Sequence, residues 1–421
     1  MSVSINNKIA KYNQKKAQTT NAEKNNLYQN KIDYYNKLRE KNIDEWGFQK
    51  PRPFSLDKYQ LNVNDPVSIK AIGYGTIRKD LPLVLMDFER RAPRNDDVVI
   101  EILFCGICHS DWHVLLNEWK NTKYPMICGH EITGKVLKVG DQVKKFKIGD
   151  KVAIGPNYNS CRNCNQCATG FEQYCTNDIT ETYNMPDRKP GELKPTGPIT
   201  YGGYSNVIVA NQHYVLTIPD GAPLDKVAPL LCAGSTMFTP LKYLNIKKGD
   251  RVGIAGIGGL GHIGIKLAKA FGAEVFALTQ TPDKLEAAIK LGADAAILVK
   301  DMDSLKEYEA TFDLIIDTIP FNHDITPYLL LVKPNHTLWI VGSFFTMAVD
   351  FDNVNRKGRI IRGSSTAGIN DTQECINFCV QNNIYPDIEL IDIKDINETH
   401  RKLLLSEVRY RYVIDMSTIY K

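Results

Sequence analysis

No run of about 18 apolar residues occurs in the 421-residue chain, so nothing in it reads as a membrane-spanning helix. The opening MSVSINNKIAKYNQKK lacks the apolar stretch of a secretory signal and the arginines of a mitochondrial presequence, which leaves the cytoplasm as the expected compartment. A dominant charge is missing too, since 52 Lys and Arg face 48 Asp and Glu. The small surplus is local: residues 1–50 hold nine Lys and one Arg against five acids, so the rest of the chain is electrically neutral. Apolar residues are scarce before Leu27, and this Asn-, Lys- and Gln-rich composition cannot bury enough surface to order itself, which predicts disorder for residues 1–26. From Leu27 to Trp46, the positions Leu27, Ile32, Tyr35, Leu38, Ile43 and Trp46 are spaced for an amphipathic helix docking on the body. The basic tail leaves contact with nucleic acid or an acidic surface open, and a solvated extension over residues 1–66 is the preferred reading.

Cysteine, by contrast, is present ten times and in two informative groups. CGICHSDWH at 105–113, CGHE at 128–131 and LLCAG at 230–234 offer Cys108, His130 and Cys232 to a single zinc ion, with Glu131 adjacent. Structural zinc is usually closed by four protein ligands, whereas catalytic zinc keeps one position open, and three ligands suit the second case. Close behind, Cys161, Cys164, Cys167 and Cys175 form C-x2-C-x2-C-x7-C, a spacing that lets four thiolates close around one structural ion. A disulfide pair or four free cysteines are the alternatives, and a reducing compartment disfavours the first. Cys105, Cys375 and Cys379 have no partner spacing and read as small buried residues.

The length implies two domains plus an appendage, and a hydrophobic fraction of 43% supplies their cores. VSIKAIGYGT, DVVIEILFCG, EITGKVLKVGDQV and DKVAIGP alternate β-branched residues with Gly and Asp breakers, as strands of a β-rich domain do. Near Pro223 the texture switches, and from Arg251 the chain reads as strand, glycine turn, helix and strand. Gly256, Gly258 and Gly261 satisfy G-x-G-x-x-G between an apolar strand at Arg251–Ala255 and a helical run from His262 to Phe271. Such glycines allow a sharp turn and the close approach of a pyrophosphate to the helix amides, so a dinucleotide site is expected here.

The order GICHSD, GHE, cysteine cluster, YGGYS, LLCAG, GIGGLGH and VRYRYVIDM resembles the zinc-dependent medium-chain alcohol dehydrogenases, and within them the cinnamyl alcohol dehydrogenase branch. The likeness runs from about Ile69 to the C-terminus, with Cys128 where the family usually has Pro before GHE. It implies an α/β protein with a β-rich GroES-like catalytic domain at 67–222 and 362–421, and an inserted Rossmann doubly wound parallel-sheet nucleotide domain at 223–361. Two zinc ions, NADP(H) in preference to NAD(H), an alcohol or aldehyde substrate and a homodimer are expected. By the same resemblance Ser110 touches the substrate oxygen and His113 completes a proton relay to solvent. Asp111 orients His130, and Glu131 approaches the metal during exchange of water or substrate. His109, Thr236, Gly259 and Leu260 join the cofactor site, while Trp119 lines the substrate pocket.

Cofactor choice rests on EVFALTQTPDK. NAD-specific folds place an acid at the end of this strand to hold the ribose hydroxyls. Thr279 stands there instead, Gln280 and Thr281 can donate hydrogen bonds, and Lys284 supplies positive charge, tempered by Asp283. Two other classes remain open: a zinc-free quinone or enone reductase on the same fold, and a non-catalytic zinc protein that binds nucleic acid. The complete ligand set opposes the first, and the glycine turn goes unexplained by the second.

Overall fold

The computed structural model describes residues 59–421 except 80, 190, 300–302, 343–348, 350 and 405–409, together with residues 10, 12–17, 26, 28–30, 33 and 56. The strands of the first part are β1 (Ser68–Gly75), β2 (Val84–Arg91), β3 (Asp97–Gly106), β4 (Glu131–Val139), β5 (Lys151–Ile154), the short β6 (Asn157–Asn159) and β7 (Thr180–Glu181), then β8 (Val207–Asn211) and β9 (Leu216–Thr217). Strand β3 reads DVVIEILFCG and is buried along most of its length, because strands flank it on both edges and side chains cover both faces. Its pairing with β4 shifts register between Val99 and Ile100 and again between Ile102 and Phe104. Such bulges curl a sheet and re-aim the residues at its end.

The second part is a parallel sheet of β10 (Arg251–Ala255), β11 (Glu274–Thr279), β12 (Ala295–Leu298), β13 (Phe312–Asp317), β14 (Val332–Ile340) and β15 (Ile360–Gly363), in the order β12-β11-β10-β13-β14-β15. The chain leaves β10 on one side and returns to β13 on the other, so a crevice opens at the C-terminal end of β10, the position where doubly wound sheets bind nucleotides. The expected strand at Arg251–Ala255 is observed, and its helix runs Gly261–Ala270, one residue earlier than the sequence pattern suggests.

Strands β16 (Ile388–Asp392) and β17 (Arg411–Asp415) return to the first sheet, which has the order β16-β17-β3-β4-β5-β9 with β8 on β3. The helix at Ile369–Gln381 nevertheless belongs to the core of the parallel sheet: Cys375 and Cys379 are fully buried there beside Leu230, Met237 and Phe238. Both thiols are small apolar filling, as the absence of partner spacing suggested.

Residues 12–17 are helical and Tyr12 is 1% exposed, against the expectation of disorder through residue 26. Composition averaged over 26 residues hides one buried aromatic, whose burial contributes about 1.5–3 kcal/mol toward the larger entropic cost of ordering a short helix. The expected helix at Leu27–Trp46 lies almost wholly outside the described residues. No described helix is long and apolar enough to cross a membrane.

Candidate active site: two thiol clusters and a glycine turn

The helix His109–Leu115 starts immediately after Cys108, and Asp111 holds that start in place. The buried Asp111 carboxylate accepts hydrogen bonds from the Cys108 amide at 2.9 Å, the Gly129 amide at 3.1 Å and the Tyr204 hydroxyl at 2.8 Å. It also lies 3.3 Å from His130 Nδ1. One carboxylate thereby ties the two loops that carry Cys108 and His130. Burial would push its carboxyl up, but His130 and the backbone donors hold it below the ordinary range. The same Nδ1 is 3.1 Å from the Tyr183 hydroxyl, which leaves the other ring nitrogen of His130 to face the thiols.

Cys108, His130, Glu131 and Cys232 are all buried, and their ligand atoms lie within 4.8 Å of one another. Zinc held tetrahedrally at about 2.0–2.3 Å needs ligand atoms roughly 3.3–3.8 Å apart, so this set fits such an ion after small adjustments. The sulfurs of Cys108 and Cys232 stand 3.9 Å apart and share a hydrogen bond, which lowers the Cys108 thiol and, with burial, raises Cys232. The pair therefore holds one negative charge readily, and a second only beside a cation. Glu131 makes a buried ion pair with Arg411, while its other oxygen, Oε2, is buried without a hydrogen-bond partner among the described residues. A Cβ on Gly106 would stand 2.0 Å from that oxygen, so only glycine leaves it room.

Cys161, Cys164, Cys167 and Cys175 likewise converge within 4.8 Å. Sulfur separations of 3.9 Å for Cys161–Cys167 and 3.5 Å for Cys164–Cys167, with no disulfide, match a four-thiolate cage. Amide donors already turned toward the sulfurs, at 3.3 Å on Cys161 and 3.5 Å on Cys175, favour thiolates. The Cys164 thiol is brought down to about 5, chiefly by the Cys167 amide.

Ser110 places its Oγ 3.7 Å from Cys108 Sγ, at the edge of the buried cluster. His113 stacks on Trp119 with ring centroids 5.4 Å apart and bonds Glu118 through Nδ1. His109 is partly exposed at the start of the same helix. Cys128 is fully buried with Sγ 3.7 Å from the Asp111 carbonyl, and its own carbonyl accepts the Tyr204 amide at 2.9 Å. The loop presenting His130 is thus pinned by backbone bonds that do not depend on proline.

Gly256 follows β10 with φ of 88°, in the left-handed region, and a Cβ on Gly261 would meet the Gly256 carbonyl at 2.0 Å. Gly258 faces open space. Leu260 sits at the cap of the following helix. A Cβ on Gly259 would lie 3.0 Å from Arg411 Nη1, so one arginine stands against both the glycine turn and the Glu131 carboxylate. Thr236 is buried in the helix that follows Cys232, its amide bonded to the Cys232 carbonyl at 2.9 Å. At the end of β11, the Thr279 hydroxyl accepts the Thr281 amide at 3.1 Å, and Lys284 is half-buried. Gln280 and Thr281 are both exposed, while Thr279 is buried at the strand end.

Sequence reasoning did not single out Arg411, Tyr204, Tyr183 or Glu118. Tyr204 and Arg411 lie in the quoted YGGYS and VRYRYVIDM segments, but nothing local says what they touch.

A family model described as an alcohol dehydrogenase GroES-like domain matches residues 94–220, and one described as a zinc-binding dehydrogenase matches residues 259–381. A probable zinc-type alcohol dehydrogenase-like protein of Acanthamoeba polyphaga mimivirus is 40% identical across 98% of this chain and 99% of its own length. Among solved structures, cinnamyl alcohol dehydrogenase 4 of Sorghum bicolor superimposes with a TM-score of 0.79 at 38% identity, over 83% of this chain and 98% of that one. The Helicobacter pylori cinnamyl alcohol dehydrogenase complexed with NADP(H) does so with a TM-score of 0.77 at 40% identity, over 83% and 99% of the two chains.

Proposed function

Because the chain belongs to the zinc-type medium-chain alcohol dehydrogenases, in their cinnamyl alcohol dehydrogenase-like branch, we propose that it interconverts a primary alcohol and its aldehyde with NADP(H). The observation that carries this is the buried convergence of Cys108, His130, Glu131 and Cys232 beside a glycine turn at the switch point of a doubly wound sheet. In this reading Cys108, His130 and Cys232 hold a catalytic zinc, and Cys161, Cys164, Cys167 and Cys175 hold a structural one. Zinc supplies a Lewis acid for the substrate oxygen, and the nicotinamide supplies or accepts hydride.

The chain's own residues do the rest. Asp111 fixes the His130 ring, as carboxylates do for metal-bound imidazoles. Ser110 holds a proton on Oγ at the edge of the cluster, and His113, whose Nδ1 bonds Glu118, is the outer member that would pass it to solvent by way of the nicotinamide ribose. Arg411 restrains Glu131, leaving it to reach the metal only when ligands exchange. Trp119 offers a flat apolar wall to the aldehyde. Gly256, Gly258, Gly259, Leu260 and Gly261 receive the pyrophosphate, with His109 and Thr236 along the cofactor. Thr279, Gln280, Thr281 and Lys284 take the adenosine ribose phosphate. A homodimer belongs to the same reading: β15 is a sheet edge, and its Ile360 is 46% exposed.

Zinc-replete protein is expected to oxidise NADPH with one or more of a panel of aldehydes. Absence of turnover across the panel, with both metals present, overturns the assignment.

A further inference from the structure

Arg90, next to last in β2, is 8% exposed, and all three nitrogens of its guanidinium are turned onto one segment of chain. Nε donates to the Val207 carbonyl at 2.5 Å and Nη1 to the Tyr201 carbonyl at 2.7 Å. Nη2 donates to the Gly202 carbonyl at 2.9 Å and to the Ser205 hydroxyl at 2.7 Å. No carboxylate pairs with Arg90 among the described residues, whereas its neighbour Arg91 pairs with Asp97 and Asp187. Burial brings the Arg90 guanidinium down to about 10, so it remains a cation at neutral pH. An unpaired buried charge is costly, and what a planar fork of donors gives in return is geometry: it fixes several acceptors at once.

The segment it grips lies backbone on backbone against the residues just before His130. The amides of Gly202, Gly203 and Tyr204 donate to the carbonyls of Ile127, Gly129 and Cys128 at 2.7, 2.7 and 2.9 Å. A Cβ on Gly202 would stand 2.4 Å from the Cys128 carbonyl, so no side chain fits between the two segments. From the same segment the Tyr204 hydroxyl reaches Asp111, which holds the Gly129 amide and faces His130 Nδ1. Cys128 lacks the ring with which proline locks φ, so the placing of His130 falls to these bonds.

We propose that Arg90 is a positioning residue for the catalytic metal: by fixing the 201–207 segment it sets where His130 stands, and with it how tightly Cys108, His130 and Cys232 hold their ion. This rests on the zinc reading above and extends the site to a residue that acts through two layers of backbone. Arg359 provides the contrast. It is 3% exposed and donates to the Val332 and Leu330 carbonyls, but it belongs to the parallel-sheet part of the chain.

The test counts metal rather than turnover. Zinc-loaded full-length protein is dialysed against graded concentrations of a chelator, and the step missing in Cys108→Ser marks the catalytic ion. Arg90→Met is expected to lower the chelator concentration for that step roughly tenfold or more, the scale of groups that orient a metal ligand, and to leave the four-cysteine step unmoved. With cobalt in place of zinc, the visible ligand-field bands should shift, because they report the geometry of the ligands. Arg90→Lys keeps the charge without the planar fork and should fall between Arg90→Met and the unaltered protein. Arg359→Met should lower the melting temperature while leaving both steps and the bands unchanged. If Arg90→Met does not fold, Ser205→Ala, which removes one acceptor from the guanidinium, should move the catalytic step in the same direction by a smaller factor. Unchanged release and unchanged bands in whichever of these two variants folds overturn the role given to Arg90. An equal shift of both steps, or the same shift in Arg359→Met, overturns it as well, since either would mark a general loss of stability. Unaltered protein that carries no metal at the Cys108 cluster overturns the zinc reading instead.

Discussion

The guanidinium of Arg411 pairs inside the protein with the carboxylate of Glu131, 280 residues away in sequence, while its Nη1 stands against Gly259 in the glycine turn. One residue on the strand that re-enters the first sheet thus touches both the metal-ligand cluster and the nucleotide crevice. The neighbouring Tyr410 ring stacks on His262 at 4.7 Å and reinforces the same junction.

Removing one member of this pair should be worse than removing both. Arg411→Leu leaves a buried carboxylate without its cation, at a cost of about 3–5 kcal/mol. The double variant Arg411→Leu/Glu131→Leu should recover part of that in urea denaturation. Equal stability of the single and double variants would mean that Glu131 finds no use for Arg411.

Metal content should separate the two thiol clusters. Fresh protein prepared without chelators is expected to carry two zinc ions per chain. Cys108→Ser should lose one of them and nearly all turnover while keeping the melting temperature within a few degrees. Cys164→Ser should lose the other and mainly lower stability. A single zinc in the unaltered protein contradicts the pairing of both clusters with metal.

The proton path predicts unequal effects. Ser110→Ala should lower kcat by about two to four orders of magnitude, the range of general acid–base contributions. His113→Gln should cost less, because water substitutes for the outer member. Full activity of Ser110→Ala in steady-state assays would remove Ser110 from the path.

Cofactor preference should reverse with one acid. Thr279→Asp places a carboxylate where a 2′-phosphate would lie, so the ratio of kcat/KM for NADPH over NADH should fall by tenfold or more. An unchanged ratio would place the phosphate elsewhere.

Acid should destabilise the fold through two buried histidines. His262 and His400 are each lowered to about 4, first by burial; Lys266 lowers His262 further, while Asp387 opposes on His262 and Asp111 on His400. The unfolded chain therefore binds more protons than the native one between about pH 6.5 and 4, and stability falls as pH drops through that window. Each site is worth roughly 2–3 kcal/mol by its lower end. His400 packs between Trp112 and Tyr204 with no hydrogen-bond partner for either nitrogen among the described residues, so His400→Phe should flatten the slope of stability against pH.

Everything local in the chemistry was legible in the chain. Ligand-type residues at short spacing, as in Cys161 to Cys175, can be gathered by their own loop, and a glycine turn between an apolar strand and a helix is a complete unit read within about twenty residues. The missing acid at Thr279 was readable for the same reason. What the sequence could not reveal was every relation between residues far apart: Asp111 tying Cys108 to Gly129 and Tyr204, Arg411 spanning Glu131 and Gly259, the helix at Ile369–Gln381 packing with the parallel sheet, and Tyr12 anchoring a segment whose average composition reads as disorder. Local pattern fixes which backbone conformation and which donor atoms a stretch offers, because those depend on near neighbours. Which buried charge meets which partner is decided only when two sheets close on one another and each polar group taken from water must find a mate.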